Sequence, residues 1–126
     1  MKAFIIKNNP SEFSPPIKCG SANGYVIIEK SHFLHGYNCD EIQEIIPNLN
    51  VHGGINMSLS QDLFEYMYIE SPYNVKQVFE EYEDGWIVGF DTMHLGDTPD
   101  KWTEEKVLEE AENLKKQLLE HKLPII

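Results

Sequence analysis

Polar residues with metal-ligand chemistry follow an apolar segment late in the chain. Residues 88–97 read VGFDTMHLGD, in which Asp91, His94 and Asp97 recur at intervals of three. Imidazole nitrogens and carboxylate oxygens together bind zinc and similar divalent ions. Asp side chains are also common in turns, where they accept hydrogen bonds from nearby backbone N–H groups. The motif therefore has two interpretations, a metal site or a capped turn.

An interval of three brings these side chains together only if the preceding strand ends in time. In extended backbone, residues three apart point to opposite faces, whereas a coiled segment can turn them to one side. Gly96 and the Asp-Thr-Pro sequence that begins at Asp97 permit such a turn. A metal site at this motif thus requires a strand that stops at about Asp91.

Other segments carry polar groups but no known catalytic signature. His52 precedes Gly53-Gly54, a pair that indicates either a β-bulge or the close approach of another group. The chain has no Gly-x-Ser-x-Gly elbow, no Walker loop and no dinucleotide fingerprint. A metal site with three protein ligands and a water would be catalytic in type, whereas four protein ligands would make it structural.

Sequence patterns predict the elements that position these groups. Strands are expected at residues 2–7, 25–29, 51–58 and 86–90, and residues 63–70 are also strand-like in composition. Short helices are predicted over residues 74–82 and after Asp40, which is placed as an N-cap. Pro47 should end the latter helix.

The last predicted element is a long helix. Thr103 is its expected N-cap, and apolar residues repeat at helical spacing through Val107, Ala111, Leu114 and Leu118. This helix should cover one face of the sheet. The predicted fold class is α+β, a mostly antiparallel β-sheet packed by one long C-terminal helix, with short additional helices. Residues 1–126 are expected to form a single domain.

The chain is strongly acidic. It has 21 acidic and 10 basic residues, no arginine, and a formal net charge of -11. Because contacts to a phosphate backbone depend on clustered Lys and Arg, direct nucleic-acid binding is not expected. An acidic surface attracts basic ones, so the charge predicts a basic protein partner, unless it serves only solubility. The predicted partner-binding residues are Glu80, Glu81, Glu83 and Asp84.

The sequence predicts a cytosolic protein. The first residues, MKAFIIKNNPSEF, contain too short an apolar run for a signal peptide, and no later run reaches bilayer length. Cys19 and Cys39 have neither Cys-x-x-Cys spacing nor the density of a secreted disulfide scaffold. Both are therefore expected to be reduced thiols.

Four segments together resemble an uncharacterised protein family of bacteriophages and prophages. They read NGYV at residues 23–26, HFLHG at 32–36, VHGGI at 51–55 and WIVGFDTMHLGD at 86–97. The resemblance covers about residues 20–118. The chain departs from the family pattern at Phe33, where proline is usual, and at His35, where tyrosine is usual. His35 and the nearby Cys39 are therefore poor candidates for a shared site.

The resemblance implies one assembled site and a phage setting, but no reaction. Five polar residues match the family at their positions, and we expect them to meet and to hold one divalent metal ion, with zinc as the expected ion. These metal-ligand candidates are His32, His52, Asp91, His94 and Asp97. The expected location is the cytoplasm of a bacterial host.

Two hypotheses of function remain open. In the first, the protein is an acidic, metal-binding interaction protein from a phage, which inhibits a basic host nuclease such as a CRISPR nuclease. The metal is then structural. In the second, the protein is a metal-dependent hydrolase or binds a small nucleotide, with Asp91 or Asp97 as ligand or general base. The first is favoured, because the acidic charge gives it a mechanism, whereas the second has no recognisable nucleophile or phosphate cradle and Lys30 is the one lysine expected near its ligand.

Overall fold

A computed structural model describes residues 1–8, 19–68 and 79–121 of the chain. The strands are β1 (Lys2–Lys7), β2 (Ala22–Ile28), β3 (Met57–Ser60) and β4 (Trp86–Phe90). The helices are α1 (Cys39–Ile45), α2 (Gln61–Met67) and α3 (Glu104–Glu120). The α+β class is confirmed, with α3 packed on a sheet that is antiparallel throughout.

The sheet order determines which loops can meet. The strands run in the order β1-β2-β4-β3, and every neighbouring pair is antiparallel. Gly24 of β2 pairs with Phe90 of β4, and Met57 of β3 pairs with Gly89. The segments before β2, before β3 and after β4 therefore lie at one end of the sheet. We call it the Phe90 end, and the other the Trp86 end.

Two apolar clusters cover the two faces of the sheet. Alternation along β2 sends Val26 and Ile28 towards α3, while Tyr25 and Ile27 face the opposite cluster. The predicted stripe of α3 is fully buried on the first face: Val107, Ala111, Leu114 and Leu118. On the other face, α2 contributes Phe64, whose ring packs edge-on against Tyr25. The long helix and its core residues are thus as predicted.

The N-cap of α1 is Asn38, so the prediction of Asp40 is wrong. The Asn38 side chain accepts a hydrogen bond from Glu41 N at 2.9 Å, and the Glu41 side chain accepts one from Asn38 N at 3.0 Å. This reciprocal pair satisfies two otherwise free N–H groups, which Asp40 inside the first turn does not do. The helix ends at Ile45, before Pro47, as predicted.

The strand predicted over residues 51–58 is confirmed only at Met57 and Ser58. Gly53 and Gly54 have φ of 69° and 77°, which is left-handed backbone and cannot continue a strand. Gly54 N donates to Val51 O at 2.8 Å and closes a turn. Val51 is nevertheless buried against the α3 side of the core. Its apolar character reflects that burial and not extended structure.

Residues 63–67, which are strand-like in composition, belong to α2. Ser60 begins this helix by accepting a hydrogen bond from Leu63 N at 3.4 Å, and Phe64 is fully buried beneath it. A cap and one buried aromatic ring thus outweigh the β-propensity of the segment. Residues 69–70, and residues 74–78 of the predicted helix over 74–82, lie outside the described residues. None of the helices in the described ranges combines the length and the apolar composition that a membrane span needs.

Candidate metal centre

The chain leaves the sheet at Asp91 and turns at once. Asp91 Oδ1 accepts a hydrogen bond from Met93 N at 3.2 Å, and Oδ2 accepts one from Asn56 Nδ2 at 2.7 Å. The buried Thr92 hydroxyl donates to Ala22 O at 2.6 Å and ties the loop to the start of β2. The strand therefore ends at about Asp91, as it must if Asp91, His94 and Asp97 are to lie on one side. Asp91 itself caps a turn, which is the second of the two interpretations of the motif.

A tight turn then holds Asp97 against His94. His94 N donates to Asp97 Oδ2 at 2.9 Å, and Asp97 N donates to His94 O at 2.9 Å. Gly96, with φ of 92°, supplies the left-handed residue that the turn requires. Asp97 is only 5% exposed. The loop thus buries the carboxylate and fixes its direction.

Strand pairing brings His52 to the same place. Because β3 and β4 are antiparallel, the segment before β3 lies beside the segment after β4. His52 Nε2 is 3.0 Å from both carboxylate oxygens of Asp97, and His94 Nδ1 is 3.2 Å from Asp97 Oδ2. One donor atom from each of the three residues lies within 4.8 Å of the others. His52, His94 and Asp97, here called the metal trio, are compatible with a divalent metal site.

Neighbouring residues position the two imidazole rings. A Cβ atom on Gly53 would collide with the His94 ring at Cε1, so a glycine here lets the backbone pass beside the ring without displacing it. The Trp102 ring packs on His52, with centroids 4.1 Å apart. Trp102 is itself held by its backbone, since Ser21 N donates to Trp102 O at 2.8 Å. Of the two interpretations of Gly53-Gly54, the geometry at Gly53 shows the close approach of another group, which is the His94 ring.

Charge at the centre favours metal binding by Asp97. Burial alone would raise the pKa of Asp97, but hydrogen bonds from His52 and from His94 N outweigh it. The net pKa lies below the ordinary value, so the carboxylate is ionised at neutral pH. An ionised carboxylate is the form that ligates a cation.

The metal trio is open on one side. The side chains of His52 and His94 are 23% and 39% exposed. Asp91 Oδ1 is 3.6 Å from His94 Nδ1, but both Asp91 oxygens already accept hydrogen bonds. An ion held by the trio would keep a position for water or for a ligand, which is the catalytic type of site.

His32 lies elsewhere, although it was predicted as a ligand of the same ion. It follows β2 at the Trp86 end, and β4 separates the two ends by five residues, about 16 Å. Its Nδ1 accepts a hydrogen bond from Leu34 N at 3.1 Å, and its ring stacks on Phe33. Burial lowers the pKa of His32. The structure thus brings together His52, His94 and Asp97 of the predicted ligands, with Asp91 beside them, but not His32.

The predicted acidic residues are also at the Trp86 end. Glu80, Glu81, Glu83 and Asp84 are all exposed and immediately precede β4. Asp84 has φ of 54°, and its carbonyl oxygen is 2.6 Å from His35 Nε2. We call these four residues the acidic turn. It lies at the opposite end of the sheet from the metal trio.

Sequence reasoning missed two residues beside the centre. Trp102 directly precedes the N-cap Thr103, and Val107 is the fourth residue of α3. Apolar residues at these two positions commonly pack together as a hydrophobic staple. That pattern could have located Trp102 at the helix start, but not against His52. Lys101 lines a surface pocket together with His94 and Asp97. Its position four residues after Asp97 is the signal in the sequence that could have located it, whereas the sequence pointed to Lys30.

Comparisons of the chain with protein-family models, with curated proteins and with solved structures find no match. The resemblance to a phage family therefore stays an expectation, and functional inference depends on the geometry of the centre.

Proposed function

We propose that the protein binds one zinc ion through His52, His94 and Asp97 and acts as a metal-dependent hydrolase of small substrates. The observation that carries this proposal is the convergence of three donor atoms within 4.8 Å on a side open to solvent. A bound zinc ion with an open position lowers the pKa of its water to about 7 and supplies a nucleophile.

The donor set suits zinc. Two imidazole nitrogens and one carboxylate oxygen are borderline ligands of the kind that zinc accepts. Donor atoms around a four-coordinate ion with bonds of about 2.1 Å lie about 3.4 Å apart. The separations of 3.0 to 3.2 Å between Asp97 and the two histidines are close to that value.

The surrounding residues have distinct roles in this proposal. Trp102 and the backbone of Gly53 fix the rings of His52 and His94. Asp91 acts as the proton acceptor for the attacking water, since its carboxylate is 3.6 Å from His94 Nδ1 and its side chain is 31% exposed. We assign it as a base and not a ligand, because the three donor atoms that lie within 4.8 Å of one another belong to His52, His94 and Asp97.

Zinc stoichiometry and ester hydrolysis test this function. Elemental analysis and titration calorimetry should give one zinc per wild-type chain, none for His94→Ala, and one for the control His32→Gln. Zinc-loaded protein should hydrolyse nitrophenyl esters of acetate or phosphate. Asp91→Asn should retain zinc and lose turnover by about 100-fold. Absence of zinc from the wild type, or loaded protein no faster than His94→Ala, would overturn the proposal.

A second candidate function rests on the acidic turn. Four exposed carboxylates on a chain of net charge -11 fit the expected phage-derived inhibitor of a basic host nuclease, such as a CRISPR nuclease. Their distance from the metal trio supports a division of roles, in which the ion only stabilises the loops at the Phe90 end.

Charge reversal at matched positions tests this candidate. The triple variant Glu80→Lys, Glu81→Lys and Glu83→Lys should lose inhibition of DNA cleavage by a purified CRISPR nuclease. Asp84 is left unchanged because of its left-handed backbone. The control reverses three exposed residues of α3, Glu109, Glu112 and Glu120, with the same change in net charge. The candidate function is refuted if the wild type does not inhibit DNA cleavage, or if the two triple variants inhibit it equally.

A further inference from the structure

A pocket opens directly beside the metal trio. The loop that follows β4 forms it, and two members of the trio line it. Its lining also includes an ammonium, a hydroxyl and two apolar side chains. The lining residues are Met93, His94, Leu95, Gly96, Asp97, Thr98 and Lys101. A group bound at the ion's open position would therefore contact this loop.

Lys101 gives the pocket a positive charge. Its backbone is fixed, since Lys101 N donates to Thr98 Oγ1 at 3.3 Å and Trp102 N donates to Thr98 O at 2.8 Å. Lys7, Lys115 and Lys116 each pair with a glutamate, but within the described part of the chain Lys101 forms no ion pair. Its ammonium is thus available to a ligand in the pocket.

From these contacts we infer that the substrate is a small phosphate ester, bound by the ion of the metal trio and by Lys101. This inference rests on the proposed function. A divalent ion and the Lys101 ammonium outweigh the two carboxylates of Asp97 and the neighbouring Asp91, so the site keeps a net positive charge that suits a phosphoryl group. The Thr98 hydroxyl can donate to a phosphate oxygen, and Met93 and Leu95 offer apolar contact to the alcohol portion of the ester.

The charge of the whole chain limits the size of this substrate. A net charge of -11 repels a polyanion, so a nucleic acid would be excluded even though its phosphates match the pocket. A single phosphoryl group needs only the local positive charge. The molecule therefore selects small phosphorylated compounds over polymers.

Binding of phosphate to zinc-loaded protein tests the inference. Inorganic phosphate and nitrophenyl phosphate should bind the wild type, and Lys101→Ala should weaken both by about fivefold, the scale of one partly exposed ion pair. Added salt should weaken binding to the wild type more than to the variant. Zinc stoichiometry should stay at one per chain in both. Lys116→Ala, on the exposed side of α3, is the control and should bind like the wild type.

The outcomes separate this inference from the proposed function. If zinc binds but phosphate does not, or if Lys101→Ala binds phosphate as tightly as the wild type does, the substrate class is wrong while the metal centre stands. Acetate binding as tightly as phosphate, or a single-stranded oligonucleotide binding more tightly, would also overturn it. If the wild type binds no zinc, the proposed function itself fails.

Discussion

At the scale of single residues, Asp97 connects the other two members of the metal trio. Its carboxylate accepts the backbone N–H of His94 and lies within 3.2 Å of both imidazoles. Removing water from this carboxylate is unfavourable, and the hydrogen bonds offset that cost. Such an arrangement orients the carboxylate before any ion binds.

Gly53→Ala should lower zinc affinity, whereas Gly54→Ala should not. Both residues have left-handed backbone, so each substitution should destabilise the fold by about 1–2 kcal/mol. Only at Gly53 would the new Cβ meet the His94 ring, while at Gly54 it has no neighbour within 4 Å. Urea denaturation measures the loss of stability that the two variants share, and zinc titration calorimetry measures the difference in their zinc affinity. Equal zinc affinity in the two variants would show that the His94 ring does not need this space.

The free energy of unfolding should fall below about pH 6.5, in part because of His32. Burial lowers the folded-state pKa of His32, and the charge of Glu29 opposes this only in part. As the pH falls through about 6.5, the unfolded chain takes up a proton that the folded chain does not, which favours unfolding. Urea denaturation at pH 7 and pH 5.5 should therefore show a smaller difference for His32→Gln than for the wild type. If the free energy of unfolding changes equally with pH in His32→Gln and in the wild type, His32 is not a cause of the loss.

At the scale of elements, strand pairing assembles the centre. The antiparallel register of β3 and β4 aligns Met57 with Gly89, which sets the turn containing His52 beside the loop of His94. The start of α3 contributes from a third direction through Trp102. Each element carries at most part of the site, so none could bind the ion alone.

Asn38→Ala should destabilise the protein by about 1 kcal/mol, because it removes the acceptor for Glu41 N at the start of α1. Asp40→Ala should cost less, since Asp40 contributes only a favourable charge in the first turn. Urea denaturation of both variants at neutral pH checks the order. A larger loss of stability for Asp40→Ala than for Asn38→Ala would show that Asp40 is the N-cap, as the sequence predicted.

At the scale of the whole molecule, the two ends of the sheet differ in character. The Phe90 end holds the metal trio and Lys101, while the Trp86 end holds the acidic turn. The long helix α3 covers one face of the sheet between them. This separation is what allows variants at one end to test a function without disturbing the other.

Zinc should stabilise the folded chain as a whole. An ion that binds only the folded state adds about 2.7 kcal/mol at a free concentration 100 times its Kd. The melting temperature should therefore rise with zinc, return on addition of a chelator, and not respond in His94→Ala. Differential scanning calorimetry measures all three. A rise in His94→Ala equal to that of the wild type would place the ion elsewhere.

Local patterns were sufficient to predict α3 and β4. Thr103 begins α3, its apolar stripe is buried, and β4 spans residues 86–90 as expected, because caps and periodicity act between near neighbours in sequence. The same local rules failed at α2, where packing of Phe64 outweighed the strand-like composition. The local rules also predicted a strand over residues 51–58, which includes Gly53 and Gly54. The backbone of these two glycines is left-handed, so they are not part of β3.

The residue types alone establish which chemistry is available: histidines and carboxylates, an acidic chain without arginine, and a strand ending at a polar motif. Which of these groups meet depends on the folded chain. His52 reaches Asp97, which lies 45 positions further along the chain, while His32 does not reach it, and Lys101 replaces Lys30 as the nearby cation. The physical reason is that these contacts follow from strand order and register, which depend on packing of the entire sheet and not on any one segment.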